Sequence, residues 1–209
     1  MKKILEVLGH KGKSEPNDEQ PDSTLFTSPF AGLDPESTRL IPWEARAVEV
    51  GASRLGSERG TKLLQSLWTK DKYMHQLDKA AIARLGHFFQ FATVAPNRDI
   101  IRQDEYGDFM LVLLSGGIAV DRMQPWGERL RLSESLPGEI LGEMSLLDSG
   151  MRFSVCTTLT TCEIAVLDAE TLDEMLGADP ALAANLIALL ARKLSLRLRS
   201  VSARLSNKK

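Results

Sequence analysis

The chain has 209 residues, 43% of them hydrophobic and 26% charged, with a formal net charge of -2. It is long enough to bury one real core with a small helical appendage, and its nearly balanced charge names no polyanionic partner. No apolar run approaches the roughly 18 residues of a membrane span, and the apolar segment of MKKILEVLGHKGK is shorter than a signal-peptide core of about 7 to 15, so a cytoplasmic protein without a membrane partner is expected.

Residues 1–42 are expected to form a flexible tail, because from Lys11 onward Pro, Ser, Asp and Glu dominate and no period is sustained. From Trp43 the apolar residues Ala45, Val48, Leu55, Leu63, Leu64, Leu67 and Trp68 fall at intervals that suit short helices, and Gly51, Gly56 and Gly60 break any long one. The span 43–76 therefore reads as a helical extension. A clearer helix is predicted across LDKAAIARLGHFF, with Leu77, Ile82, Leu85, Phe88 and Phe89 as its apolar stripe.

After Phe91 the pattern changes to brief strand-like runs: FATVAP, DIIRQ, DFMLVLLSG, GIAVDRM, RLRLSESL, EILGE, FSVCTTL and CEIAVLD. Pro96-Asn97, Gly107, Gly116-Gly117, Pro125-Trp126-Gly127 and Pro137-Gly138 punctuate them. Eight short strands so spaced predict a mainly β domain with flanking α: an eight-stranded antiparallel β-roll, or jelly roll, with helices at its N- and C-terminal ends. Cys156 and Cys162 do not make a disulfide framework and are expected to be reduced structural thiols. The segment TLDEMLGADPALAANLIALLARKLSLRLRSVSARL is helical in pattern, with Asp179 as N-cap and Pro180 at the first helical position of the last helix. Ile187, Leu194 and Val201 recur every seven residues there, and Leu190, Leu198 and Leu205 widen the stripe, which needs a partner.

The stretch GEMSLLDSGMRFSV interrupts the strands with an acid, a short apolar turn, a small-residue loop and one arginine. A helical turn beginning at Glu143 would present its first amides to an anion, and Gly142 would let that anion approach the backbone. Arg152 can add a charge-assisted contact to the same anion. Glu143 would repel a phosphate, and its natural role is to accept a hydrogen bond from a neighbouring sugar hydroxyl. Anion donors beside one hydroxyl acceptor describe a ribose phosphate. The competing account of Glu143 and Arg152 is a structural ion pair at a sheet corner.

Gly142-Glu143-Met144-Ser145-Leu146-Leu147, four further residues and then Arg152 resemble the phosphate-binding cassette of the cyclic nucleotide-binding domain family, whose usual form is G-E-[LM]-[AS]-L, a short loop and P-R-[AST]-A. The resemblance extends over residues 77–209, since the leading helix, the roll, the Gly116 and Pro137-Gly138 turns and the trailing helices follow the family order. It implies that Glu143 binds the ribose 2′-hydroxyl, that Arg152 binds the exocyclic phosphate oxygens, and that the amides of Met144, Ser145 and Phe153 contact the phosphate. The last helix would act as a lid over the base and, as in relatives of the catabolite activator type, as a homodimer interface.

Two positions depart from the family pattern. Met151 replaces the proline, and Phe153 stands where Ala, Ser or Thr is usual, so no hydroxyl is offered there unless Ser154 takes that role. The absence favours cAMP over cGMP as ligand, while the bulk of Phe153 could crowd the pocket.

The expected function is therefore a cyclic nucleotide-binding regulatory protein that signals through its C-terminal helix to an effector protein. The alternative is a degenerate roll that serves as a dimerisation or scaffold module without ligand. No catalytic residues, metal or cofactor are expected: His10, His75 and His87 precede the main strands and form no cluster, and no nucleophile elbow, Walker loop or Cys-His zinc spacing is present. Only SNKK follows Leu205, so no direct DNA binding is expected of this chain.

Overall fold

Residues 40–206 are described by the computed structural model. α1 (Trp43–Val50) starts after Pro42 and stops at Gly51, whose φ of 64° supplies the left-handed cap. A two-residue strand, β1 (Ser53–Arg54), leads into α2 (Ser57–Trp68), a 3₁₀ turn (Met74–Gln76) and α3 (Lys79–Leu85). Asp78 caps α3 by accepting from the Ala81 amide at 2.6 Å. α3 ends sooner than the apolar stripe predicts: Phe88 and Phe89 lie beyond it, yet both pack on the same core. The tail expected over residues 1–42 lies outside the described residues except for its last three.

The strands are β2 (Gln90–Val94), β3 (Asp99–Ile101), β4 (Phe109–Ser115), β5 (Ile118–Met123), β6 (Arg129–Ser135) and β7 (Ile140–Leu141), then, after α4 (Glu143–Asp148), β8 (Val155–Thr158) and β9 (Cys162–Asp168). Two helices finish the described chain, α5 (Ala169–Ala178) and α6 (Pro180–Ser206). All eight strands read from the sequence are present, in two antiparallel sheets with the orders β1-β2-β9-β4-β7 and β3-β8-β5-β6. β1 was not legible beforehand: it follows the Gly51 turn and pairs Ser53 with Thr93 and Arg54 with Ala92.

Period-2 alternation explains the layers. On β4, Phe109, Leu111 and Leu113 face the interior of the roll, together with Ile164 and Val166 of β9. Met110, Val112 and Leu114 face the other way, onto a second core with Leu64 and Trp68 of α2, Ile82 of α3 and Leu182, Leu186 and Leu190 of α6. β4 is buried on both faces, which is why FMLVLL carries no polar residue. β6 is the opposite case, an edge strand that is exposed until Ser135. Arg129 and Arg131 on this edge both pair with the buried carboxylate of Asp121 on β5, a charged rim of the kind that discourages further strand pairing. Cys156 and Cys162 are free and buried.

α6 begins as expected, with Asp179 Oδ1 accepting from the Leu182 amide at 3.2 Å. Its buried face is Leu182, Ala183, Leu186, Leu189 and Leu190, so of the predicted stripe only Leu190 is fully buried. Of that stripe Ile187 and Leu194 are half-buried, whereas Leu198 and Val201 are exposed; the side chain of Leu205 lies outside the described residues. Leu186 is fully buried where α6 meets the helical core, so Leu186→Ala should cost about 2 to 5 kcal/mol of stability, measurable as a lowered urea midpoint.

Candidate anion-binding site

The turn at Gly142 carries φ 77°, a left-handed backbone suited to glycine, and places α4 directly after β7. Leu146 N–H donates to Gly142 O at 3.3 Å, so the amides of Glu143, Met144 and Ser145 precede the first bond of the helix. The chain then returns to β8 with Arg152 in the connection. Its backbone is pinned on both sides, with Arg152 N–H donating to Glu105 O at 2.8 Å and Asp104 N–H donating to Arg152 O at 2.9 Å.

The Arg152 side chain points inward and the residue is only 4% exposed. Nη1 donates to Gly142 O at 3.0 Å, and the guanidinium carbon lies 4.4 Å from the centre of the Phe109 ring, a cation–π contact. Nη2 is buried and has no hydrogen-bond partner among the described residues. Two glycines make this possible: a Cβ at Gly107 would stand 2.5 Å from Arg152 Nε and Nη2, and one at Gly142 would stand 2.7 Å from Nη1.

Burial pushes the Arg152 guanidinium down to about 10, opposed by the neighbouring Cys156 and Asp108 side chains. It is therefore still a cation at neutral pH. The same burial pushes the Cys156 thiol up to about 12 and raises the Asp108 carboxyl above its ordinary value. Asp108 Oδ1 is also buried and without a hydrogen-bond partner among the described residues. The pocket thus holds a desolvated positive charge with a bare N–H, a group that favours an incoming anion.

Glu143 is buried as well, but its carboxylate already has a partner. Arg197, on the second half of α6, donates to Glu143 Oε1 and, through Nη2, to Ile140 O at 2.9 Å. Glu143 and Arg152 do not pair with each other in any ion pair of the described residues, which removes the account of them as a corner salt bridge. Ser145 and Ser154 are buried, whereas Met144 and Met151 are exposed. Phe153 is 56% exposed: its ring stacks on the Arg122 guanidinium at 3.9 Å, and Arg122 Nη1 donates to Phe153 O at 2.5 Å. Arg197, Phe109 and Gly107 were not singled out from sequence as site residues, since Gly107 looked like strand punctuation and the other two like core and solvated helix.

Residues 92–179 match the profile of the cyclic nucleotide-binding domain. Through this segment the chain is similar to the cyclic nucleotide-binding domain family. Among curated proteins it is similar to the CRP-like cAMP-activated global transcriptional regulator of Mycobacterium tuberculosis, at 28% identity over 118 residues, 56% of this chain and 53% of that protein. It is also similar to the cyclic AMP receptor protein of Thermus thermophilus, at 33% identity over 107 residues, 51% of this chain and 50% of that one. The chain spans about half the length of these relatives.

Among solved structures, a cyclic nucleotide-binding domain from Methylobacillus flagellatus superposes with a TM-score of 0.68 over 76% of this chain and 89% of that one; at 22% identity it speaks for the fold alone. The Thermus thermophilus catabolite activator protein gives a TM-score of 0.57 at 29% identity, over 65% and 62% of the two chains. Trp43, Arg46 and Arg197 all lie outside the segment that matches the cyclic nucleotide-binding domain profile. Among the described residues no helix is long and apolar enough to cross a membrane, and no three His, Cys, Asp or Glu side chains are grouped as metal ligands.

The Arg197–Glu143 pair is the polar tie between the solvent-exposed half of α6 and the roll. Glu143→Gln should weaken it, so that amides of α6 beyond Lys193 exchange faster with deuterium while those of β4 and β9 stay protected.

Proposed function

We propose that the chain is a cyclic nucleotide-binding regulatory protein, with cAMP as ligand and cGMP as the second candidate, that signals through α6 to an effector protein. The observation that carries this is Arg152: a buried cation whose Nη2 has no hydrogen-bond partner among the described residues, held between two glycines that leave no room for a Cβ. An exocyclic phosphate would satisfy that nitrogen and neutralise the charge. Leaving such a group unpaired costs about 1 to 3 kcal/mol, and more when it is charged. The preference for cAMP draws support from the relatives, which are named as a cAMP-activated regulator and a cyclic AMP receptor. Binding is proposed, not catalysis, and no metal or cofactor takes part.

A ligand ribose hydroxyl would need the Glu143 carboxylate that Arg197 now occupies. Ligand and helix therefore compete for one acceptor, and occupation would shift the population of α6 positions by the difference in affinity between the paired and released states. Leu198 and Val201, exposed on the far half of α6, would bury against a second copy in a homodimer or against the effector. The same Arg197–Glu143 pair favours the second account, a scaffold whose site is closed to nucleotide. Phe153 does not add to that account, because its ring stands outward on Arg122.

Calorimetric titration of extensively dialysed protein with cAMP, cGMP and linear AMP separates the two. Saturable binding of a cyclic nucleotide, weakened about 100-fold or more in Arg152→Ala by the loss of charge-assisted bonds, would establish the receptor. No heat and no thermal stabilisation from any of them would establish the scaffold. If Arg197 competes as described, Arg197→Gln should bind about two- to fivefold more tightly, the worth of a half-exposed ion pair.

A further inference from the structure

The cage around Arg152 is completed by residues that lie before the matched segment 92–179. Three separate ties reach it from residues 40–46. First, Ile41 N–H donates to Tyr106 O at 3.0 Å, Leu40 bridges Tyr106 in parallel, and Tyr106 in turn bridges Met151, the neighbour of Arg152. Second, Trp43 meets Phe109 edge to face with centroids 5.5 Å apart, and Phe109 is the ring on which the Arg152 guanidinium rests. Third, Arg46, only 2% exposed, pairs through Nη2 with the Glu105 carboxylate, and Glu105 O accepts the Arg152 amide. Trp43 and Arg46 are three residues apart and so share one face of α1.

The segment that carries Asp104, Glu105, Tyr106 and Gly107 is thus clamped between α1 and Arg152. Arg46 also donates to Glu49 at 2.6 Å, and Glu49 is paired with Arg102, so the start and the middle of this segment are both held from α1. Arg46 is near enough for its charge to join burial in depressing the basicity of Arg152.

We propose that Trp43 and Arg46 of α1 are positioning residues for Arg152, so that the anion site of this chain includes a helix outside the family segment. They touch no ligand: Trp43 fixes the ring under the guanidinium, and Arg46 fixes the β3–β4 connection that receives its backbone. The consequence for nucleotide binding rests on the function proposed above, but the positioning itself does not.

The test follows the Arg152 Nε–H resonance by ¹⁵N NMR, assigned by its loss in Arg152→Lys, alongside cAMP and cGMP titration in the full chain. Arg46→Met and Trp43→Leu should each lose the slowly exchanging Nε–H signal and raise Kd about tenfold or more, with Arg46→Lys intermediate and circular dichroism unchanged. An Nε–H signal as protected as in the wild type overturns the proposal, whatever happens to Kd. Loss of that signal with an unchanged Kd in a wild-type protein that binds overturns it too. If the wild type binds neither nucleotide, the receptor function falls and the Nε–H signal alone decides the positioning role. Should either variant fail to fold, Glu105→Gln cuts the same link from the other side and is judged by the same signal.

Discussion

A guanidinium held away from water, its Nη2 without a partner among the described residues, is the constraint on which the rest of this structure depends. Removing such a charge from solvent costs several kcal/mol unless partners replace the water. Here the replacement is partial: one backbone carbonyl at Gly142, the face of Phe109, and the nearby carboxyl of Asp108. Gly107 and Gly142 follow from the same constraint, since a side chain at either position would displace the guanidinium. The roll therefore stores an unmet demand for negative charge at one end of its inner core. An anion that meets it would be bound by a group already in place, with little ordering left to be done.

α6 divides into two halves with different roles. Up to Leu190 it is part of the helical core, with Leu182, Leu186, Leu189 and Leu190 buried against α2, α3 and β4. Beyond that its described side chains are exposed except for those of Lys193 and Leu194, and Arg197 anchors it to the roll at Glu143 and at Ile140 O. A helix packed at one end and held farther on only by polar contacts, from Arg192 to Gln76, Lys193 to Asp71 and Arg197 to Glu143 and Ile140 O, is suited to two arrangements, because such ties can be exchanged without disturbing the packed half. Its acceptor is the same carboxylate that the family resemblance assigns to a ribose hydroxyl.

Much of the fold could be read locally. The eight strands were visible as short β-branched runs between turn residues, and Asp179 as an N-cap, because these features depend on neighbours one to four positions away. Where local signals divided, tertiary packing chose. The heptad spacing of Ile187, Leu194 and Val201 is present, but the face most deeply buried in the helical core carries Leu182, Leu186 and Leu189 beside Leu190, with Ile187 only at its margin. Both faces are apolar over the first half of α6, and spacing alone does not say which finds a partner. β1 escaped notice because a strand of two residues is too short to show a period.

At the site the division is similar. Gly142, Glu143 and Arg152 were identifiable because one short turn and one loop bring them together within ten residues, so the sequence by itself determined that a glycine-led helical turn is followed by a returning arginine. It did not determine the state of either charged group. That Glu143 is held by Arg197, 54 residues farther on, and that Arg46 reaches Glu105 across 59 residues, was decided by tertiary structure alone. Contacts over such separations depend on how sheets and helices stack, to which the side-chain pattern of either partner is blind. A lone arginine on a solvated helix and one on a short N-terminal helix look alike in sequence, and only burial beside a carboxylate distinguishes them.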